Sequence, residues 1–208
     1  MNRGLVARAV AILAAIVLGG FGGPAFAGGI DHKVEFDDSG IWNRSNQLIL
    51  ERSTIVLTLG AALWEGSDTR FGKTMWQSVD AMIIGAATSE TMKVVFSRTR
   101  PSETDNPNLW FQGHGNKSFP SGEVMLVTTA ITPIVLEYGA EQPAVWGLVL
   151  LPIYDAIARV KVHGHWQTDV LASLAIGTGI GVYSHQRDSS FTVGVLPRGV
   201  TIGWKTTF

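Results

Sequence analysis

The chain has 208 residues, which suits one medium-sized domain with its own core, since two independent domains would each be small. Its 16 lysines and arginines nearly balance 17 aspartates and glutamates, so the formal net charge of -1 points to neither nucleic acid nor an anionic membrane as a partner. Cysteine is absent, which excludes disulfides, thiolate metal sites and a cysteine nucleophile. Mean hydropathy is +0.21, which is apolar for a soluble protein but lower than expected for a bundle of full membrane spans.

The first residues have the order of a secretory signal peptide. Arg3 and Arg8 precede an apolar run over residues 9–18, and Ala25-Phe26-Ala27 then supplies an A-x-A cleavage site. We therefore predict a signal peptide over residues 1–27.

Cleavage there leaves a single domain over residues 28–208, and the short basic start favours the bacterial periplasm as its location. The alternative is an uncleaved anchor helix. It is disfavoured because Gly19, Gly20 and Pro24 interrupt the apolar run early.

After an irregular polar lead-in up to Asn43, apolar residues recur at near-helical spacing in five stretches. The predicted helices are Ser45 to Trp64, Lys73 to Arg98, Ser121 to Tyr138, Pro143 to about Val160, and about His165 to His185. The second helix should end near Arg100 because Pro101 disfavours helical geometry in the residue before it. Polar residues interrupt the later stretches, which favours a compact helical bundle, able to rest on a membrane, over a set of spans.

Two segments differ from the helices. Residues 101–120 form a polar loop that is longer than an ordinary connection, and loops of that length are usually functional or disordered. Phe191 to Phe208 alternates around Pro197-Arg198-Gly199, which predicts a small β-hairpin. The expected fold class is therefore all-α, with a C-terminal hairpin.

The first candidate cluster is Lys93 with Arg100. Seven residues separate the two cations, which places both near one face of a helix. A lysine and a forked guanidinium suit the several charged oxygens of a phosphate. On its own the pair is more typical of a solvated helix face.

The second cluster is Ser121-Gly122-Glu123, at the start of the third helix. Helix N-termini present unpaired N–H groups, Gly122 permits close approach to the backbone, and Ser121 adds a hydroxyl. The segment could cradle an anion. A simple N-cap with Glu123 in the first turn explains it equally well.

The third cluster is Arg159, His165 and Asp169. At i and i+4, His165 and Asp169 would share a helix face, so the carboxylate could hold one imidazole nitrogen and leave the other free to attack phosphorus. An isolated His–Asp pair is more often structural.

In order and spacing, the three clusters resemble the tripartite signature of the type-2 phosphatidic acid phosphatase superfamily. Lys93-x6-Arg100-Pro101 is similar to its first motif, Pro120-Ser121-Gly122 to most of its second, and Arg159-x5-His165-x3-Asp169 to its third. The resemblance covers roughly residues 91–181. It implies the helical bundle that the superfamily shares with haloperoxidases.

The resemblance also implies a mechanism. His165 would be the nucleophile that forms a phosphohistidine, and Asp169 would orient it. The phosphoryl oxygens would be bound by Lys93, Arg100, Ser121, Gly122 and Arg159. No metal or other cofactor is implied, and the expected partners are a phosphorylated lipid or a small phosphoester and a membrane surface, with the oligomeric state left open.

The chain departs from the pattern at Glu123, because the family's second motif ends in a histidine that protonates the leaving group. Our hypothesis is that Glu123 is the acid or positions one, with His114 and His163 as potential substitutes. For His114 the alternative is an exposed loop residue, and for His163 it is a capping or packing role.

Three other functions fit parts of the pattern. A catalytically weak protein that binds phosphate or lipid would explain Glu123. A vanadate-dependent haloperoxidase shares the scaffold, although this chain is short for one. A structural envelope protein is suggested only by the β-rich tail.

Overall fold

The computed structural model describes residues 29–187 and the backbone of residues 191–196 and 199–204. The predicted signal peptide lies outside the described residues. It therefore stays a prediction.

Five α-helices form the bundle: α1 (Arg44–Glu65), α2 (Arg70–Phe96), α3 (Gly122–Tyr138), α4 (Leu150–Lys161) and α5 (Gln167–His185). Short 3-10 helices cover Gly40–Trp42 and Pro143–Val149. The helical prediction is confirmed, but its fourth helix is divided into a 3-10 segment and α4. Pro152 lies in the first turn of α4, where its missing N–H costs nothing.

The second helix ends before the position predicted from Pro101. Ser97 adopts a left-handed conformation with a φ of 39°, and the N–H groups of Phe111 and Gln112 then bond to the carbonyls of Phe96 and Ser97 across the loop. Arg100 is therefore not on α2. The expectation that Lys93 and Arg100 share one helix face is wrong, although both still lie at the same end of the bundle.

The centre of the bundle is α3, which packs on α2 and α5 and is surrounded by three apolar clusters. Gly177 and Gly181 on α5 face Thr128 and Thr132 on α3. A methyl group on Gly177 would lie 2.9 Å from Thr128 Cβ, and one on Gly181 would overlap Thr132. From the first contacting pair to the second, the residue number rises by four on both helices. Therefore α3 and α5 run parallel and begin at the same end.

The opposite direction holds for α2. A methyl group on Gly85 would meet Thr129, whereas one on Gly122 would meet Lys93, so α2 runs antiparallel to α3 and finishes where α3 starts. This end of the bundle therefore collects the start of α3, the start of α5 and the finish of α2.

The lead-in before α1 crosses the same end and is irregular, as predicted. Backbone groups of His32 exchange hydrogen bonds of 3.1 and 2.7 Å with the Gln167 side chain, and Asp37 N–H donates to the Lys161 carbonyl. Individual hydrogen bonds to α4 and α5, rather than regular structure, thus fix this segment.

The last elements are β1 (Phe191–Leu196) and β2 (Gly199–Trp204), which pair antiparallel from Phe191 opposite Trp204 to Leu196 opposite Gly199. Residues 197–198 and 205–208 lie outside the described part of the chain. The complete hairpin predicted for the tail therefore stays a prediction.

Within residues 29–187, one helical stretch, Pro143–Lys161, is long and apolar enough to cross a membrane by length and composition. Its mean hydropathy is 1.4, and 39% of the apolar window is buried in the bundle. A single stretch of this kind also occurs as a core helix of soluble proteins, so it is weak evidence for a span.

Candidate active site

His165 lies just before α5, two residues ahead of its first helical position. Its ring is 3% exposed, and Nδ1 lies 2.6 Å from the Ser118 carbonyl oxygen. Because a carbonyl only accepts hydrogen bonds, Nδ1 carries the proton and Nε2 keeps its lone pair. Among the described residues, no hydrogen bond to Nε2 is found.

Asp169 does not hold the imidazole directly. Its Oδ2 is 3.9 Å from His165 Nδ1, too far for a hydrogen bond. The expectation from the i, i+4 spacing fails because α5 begins only at Gln167, so His165 is outside the helix. The Ser118 carbonyl oxygen accepts the hydrogen bond from Nδ1 that was expected to go to Asp169.

The surroundings of His165 keep its imidazole neutral. Burial lowers its pKa well below the ordinary value, and the nearby cations Arg159, Arg100 and Lys93 lower the pKa further, against the Ser118 carbonyl. The three predicted cations are therefore brought together around one ring. A neutral imidazole with a free Nε2 is the form that can act as a nucleophile.

Two glycines give the cations room. A methyl group on Gly122 would lie 2.9 Å from Lys93 Nζ, and one on Gly164 would lie 2.5 Å from Arg159 Nη2. Lys93 also pairs with Glu90 at 2.6 Å. The Arg100 guanidinium has one long contact of 3.4 Å, to the Lys117 carbonyl.

Several buried polar atoms beside these cations have no hydrogen-bond partner within the part of the chain that the structure describes. They are Ser89 Oγ, Ser121 Oγ and Arg159 Nε. Ser121 is at the N-cap position of α3, but its hydroxyl makes no capping bond, so the simple N-cap explanation does not hold. Because buried donors are almost always paired, unpaired ones beside three cations mark a site for an anion with several oxygens.

Glu123 is paired with Arg44 of α1. Arg44 Nη1 lies 2.5 Å from Oε2 and Nη2 lies 2.7 Å from Oε1, while Arg159 is 4.0 Å away. Burial acts to raise the pKa of Glu123, but the Arg44 hydrogen bonds and the charges of Arg159 and Arg100 hold this pKa below its ordinary value. An ionised carboxylate cannot donate a proton, so this geometry argues against Glu123 as the acid.

Arg98, which the sequence interpretation missed, organises the far side of His165. It is 1% exposed, forms an ion pair with Asp169, and donates to Asp31 at 2.6 Å and to the Pro107 carbonyl at 2.7 Å. Asp169 Oδ2 also accepts from Ser118 Oγ at 2.5 Å and from Trp166 N–H at 2.9 Å. Asp169 thus fixes two neighbours of His165, namely the residue that holds its ring and the residue after it in the chain.

Burial raises the pKa of both Asp169 and Asp155. Burial raises the pKa of Asp169 despite the opposing effect of Arg98. Asp155 lies on α4 one turn before Arg159, is 1% exposed, and has no hydrogen-bond partner for either carboxylate oxygen. Burial and the charge of Glu123 raise its pKa to about 7.

The two auxiliary histidines do not replace the missing acid. His114 is exposed in the loop, between Gly113 and Gly115. His163 Nε2 is bonded to the Val34 carbonyl at 2.8 Å, and its ring packs edge-on against Phe36. Both follow the alternative given for them. No group of three or more His, Asp or Glu within the described residues is arranged to hold a metal ion.

Comparison with known proteins agrees with this geometry. Residues 74–190, more than half of the chain, match the PAP2 superfamily. An undecaprenyl-diphosphatase from Sulfolobus acidocaldarius is 27% identical over 114 residues, which is 54% of this chain and 54% of that protein. A lipid A 1-phosphatase from Porphyromonas gingivalis is 27% identical over 120 residues, which is 57% of this chain and 24% of that protein. No solved structure matches the chain.

Proposed function

The chain belongs to the PAP2 superfamily, and we propose that it is a phosphatase that removes phosphate from a phosphorylated lipid through a phosphohistidine at His165. One observation carries the proposal. A neutral imidazole with a free Nε2 lies among three cations and several unpaired donors. Phosphoryl transfer requires little more than alignment and stabilisation of charge, and this set supplies both.

In the proposed reaction, His165 Nε2 attacks phosphorus as the bond to the leaving oxygen breaks. Lys93, Arg100 and Arg159 neutralise the phosphoryl oxygens, while Ser121 Oγ and the first N–H groups of α3 donate to them. Water then attacks the phosphohistidine, which releases phosphate and restores the imidazole. The Ser118 carbonyl keeps Nδ1 protonated throughout, so Nε2 is regenerated with its lone pair.

A lipid substrate is supported by the relatives and by the surface. The two relatives are, by name, a diphosphatase of an isoprenoid lipid and a phosphatase of lipid A. The chain spans only about half of the first and a quarter of the second, so their substrates are a guide for the proposal. Large apolar side chains on the outside include Leu57, Trp64, Val94 and Leu150, exposed by 70%, 88%, 62% and 62%. We propose that part of this exposed apolar area rests on a membrane in the periplasm.

The decisive experiment measures phosphate release by the purified protein from lipid and soluble phosphates, with His165→Ala compared against His163→Ala. We expect at least a ~1,000-fold loss in kcat for His165→Ala, because the nucleophile is removed, and a change within about threefold for His163→Ala. Acid-labile phosphate should be trapped on His165 in the unaltered protein. Retained turnover in His165→Ala would reject the proposal.

A catalytically weak phosphate-binding protein is the second candidate, because Glu123 is ionised where the family has its acid. The same experiment separates the two. Phosphate binding without a labelled His165 and without turnover on any substrate would favour the binding protein.

A further inference from the structure

Arg44 is a fourth cation at the site, and it comes from outside the family match. It is the first residue of α1, whereas the matched segment begins at residue 74. We propose that Arg44 binds the leaving group and that, held by Glu123, it makes the site selective for lipid diphosphates over lipid monophosphates. This inference rests on the proposed phosphatase function.

Two bridges hold Arg44 next to the phosphate-binding cations. Gln47 Oε1 accepts from Arg44 Nη1 at 3.1 Å and from Arg159 Nη1 at 3.2 Å. Glu123 likewise lies between the two guanidiniums, at 2.5 Å from Arg44 and 4.0 Å from Arg159. Arg44 is thus one side chain away from a residue that contacts the phosphoryl group.

Arg44 also has donors to spare. Glu123 and Gln47 use both hydrogens of Nη1 and one of Nη2, while Nε and the second Nη2 hydrogen have no acceptor among the described residues. The side chain is 35% exposed, so solvent reaches it. A guanidinium with two free donors matches the oxygens of a second phosphate.

The chemistry explains the selectivity. An alkoxide leaving group must be protonated as it departs, and the ionised Glu123 cannot supply the proton. A diphosphate needs none. His165 Nε2 bonds to the terminal phosphorus while the bond between that phosphorus and the bridging oxygen breaks. The electron pair of the broken bond stays on the oxygen of the released lipid monophosphate. Arg44 stabilises the charge that appears there.

The test compares three substrates on the full-length protein: a polyprenyl diphosphate, the polyprenyl monophosphate of the same chain, and 4-nitrophenyl phosphate. The unaltered protein should cleave the diphosphate with a kcat/KM at least ~100-fold above the polyprenyl monophosphate. The aryl phosphate has a good leaving group but no second phosphate for Arg44. Arg44→Gln should therefore lower the ratio of diphosphate to aryl phosphate kcat/KM at least ~10-fold, mainly through kcat.

The matched control is Arg52→Gln, which removes an exposed arginine from the same helix and should leave the ratio unchanged. If Arg44→Gln does not fold, because it leaves Glu123 without its partner, the double variant Arg44→Gln/Glu123→Gln removes both charges and should give the same fall in the ratio. Glu123→His should raise hydrolysis of the polyprenyl monophosphate, since it restores a proton donor.

Two results would overturn the inference while leaving the phosphatase function intact. One is equal cleavage of the lipid monophosphate and the lipid diphosphate. In that case, if Asp155→Asn loses cleavage of the monophosphate alone, the Asp155 carboxyl is the proton donor for the leaving group. The other is an equal effect of Arg44→Gln on all three substrates. Absence of turnover on every substrate, with no label on His165, would instead refute the proposed function itself.

Discussion

Two buried arginines at the same end of the bundle differ in how fully their guanidinium groups are hydrogen-bonded. Arg98 is 1% exposed and donates to Asp169, Asp31, Thr168 and the Pro107 carbonyl. Arg159 is 5% exposed, but its Nε has no partner, its contact with Gln47 is 3.2 Å long, and Glu123 is 4.0 Å away. The first arginine is fully paired. The second retains capacity for an anion.

This contrast shows how a fold can hold one arginine ready for an anion. Burying an unpaired charge is costly, and burial accordingly lowers the pKa of Arg159. Arg159 stays buried at this cost only because the surrounding structure holds it in place. The paired network around Arg98 supplies that support, because it fixes Ser118 and Trp166 on both sides of His165.

The largest expected effect comes from exchanging each arginine for methionine. Arg98→Met should lower the free energy of unfolding by roughly 5 kcal/mol, because the buried Asp169 and the partly buried Asp31 lose their partner at once. Arg159→Met should cost less than about 1 kcal/mol, since little pairing is lost, yet reduce kcat/KM by ~100-fold or more. Urea denaturation and phosphate release measure the two effects. Equal losses of stability in the two variants would show that the two arginines do not differ in this way.

The second prediction concerns Asp155, another buried group without partners. Its pKa is about 7 in the folded chain against 3.8 in the unfolded one, so the folded state holds the extra proton between these values. The free energy of unfolding should therefore fall as pH rises through this window. Relative to the unaltered protein, Asp155→Asn should gain about 3 kcal/mol between pH 5 and pH 8.

Burial is the main cause of this pKa shift, and the charges of Glu123, Arg159, Arg44 and Glu51 modify it, so all four residues are kept unchanged in the measurement. The control is Asp68→Asn, at an exposed turn position. Parallel urea midpoints for Asp155→Asn and the unaltered protein across the pH range would contradict the prediction.

The smallest expected effect concerns two fully buried serines, one paired and one unpaired, as with the two arginines. Ser118 Oγ donates to Asp169, whereas Ser121 Oγ has no partner. Ser118→Ala should cost about 1–2 kcal/mol of stability, and Ser121→Ala less than about 0.5 kcal/mol. Binding of inorganic phosphate, measured by calorimetry, should weaken about fivefold in Ser121→Ala. An unchanged affinity would show that this hydroxyl does not face the anion.

Much of the fold and the core of the site could be predicted from local patterns. Helical spacing located the helices, and the motif spacing selected His165 and its three cations. The end of α2 could not be predicted, because Ser97 leaves the helix to let the loop pair with Phe96 and Ser97. The missing His165–Asp169 bond has the same origin, since it depends on where α5 begins.

The residues that were missed act over long distances in the chain. Arg44 meets Glu123 across 79 positions, and Arg98 meets Asp31 across 67. Neither pair leaves a periodic or spacing signal, because the contact exists only after the bundle has formed. Asp31 and Arg44 also lie outside the motifs. Asp31 is in the irregular lead-in, and Arg44 directly precedes the first predicted helix.

The parallel course of α3 and α5 gives the site a source of attraction that no titration removes. Each helix carries roughly half a positive charge at its first turn, from the aligned dipoles of its peptide groups. Both first turns lie at the end of the bundle that holds His165, but α5 uses one of its first N–H groups, that of Thr168, to bond Asp31. Most of the backbone attraction at the site therefore comes from α3. Unlike the imidazole or a carboxyl, this contribution is the same in acid and in alkali, and it lasts as long as Gly177 and Gly181 let the two helices lie together.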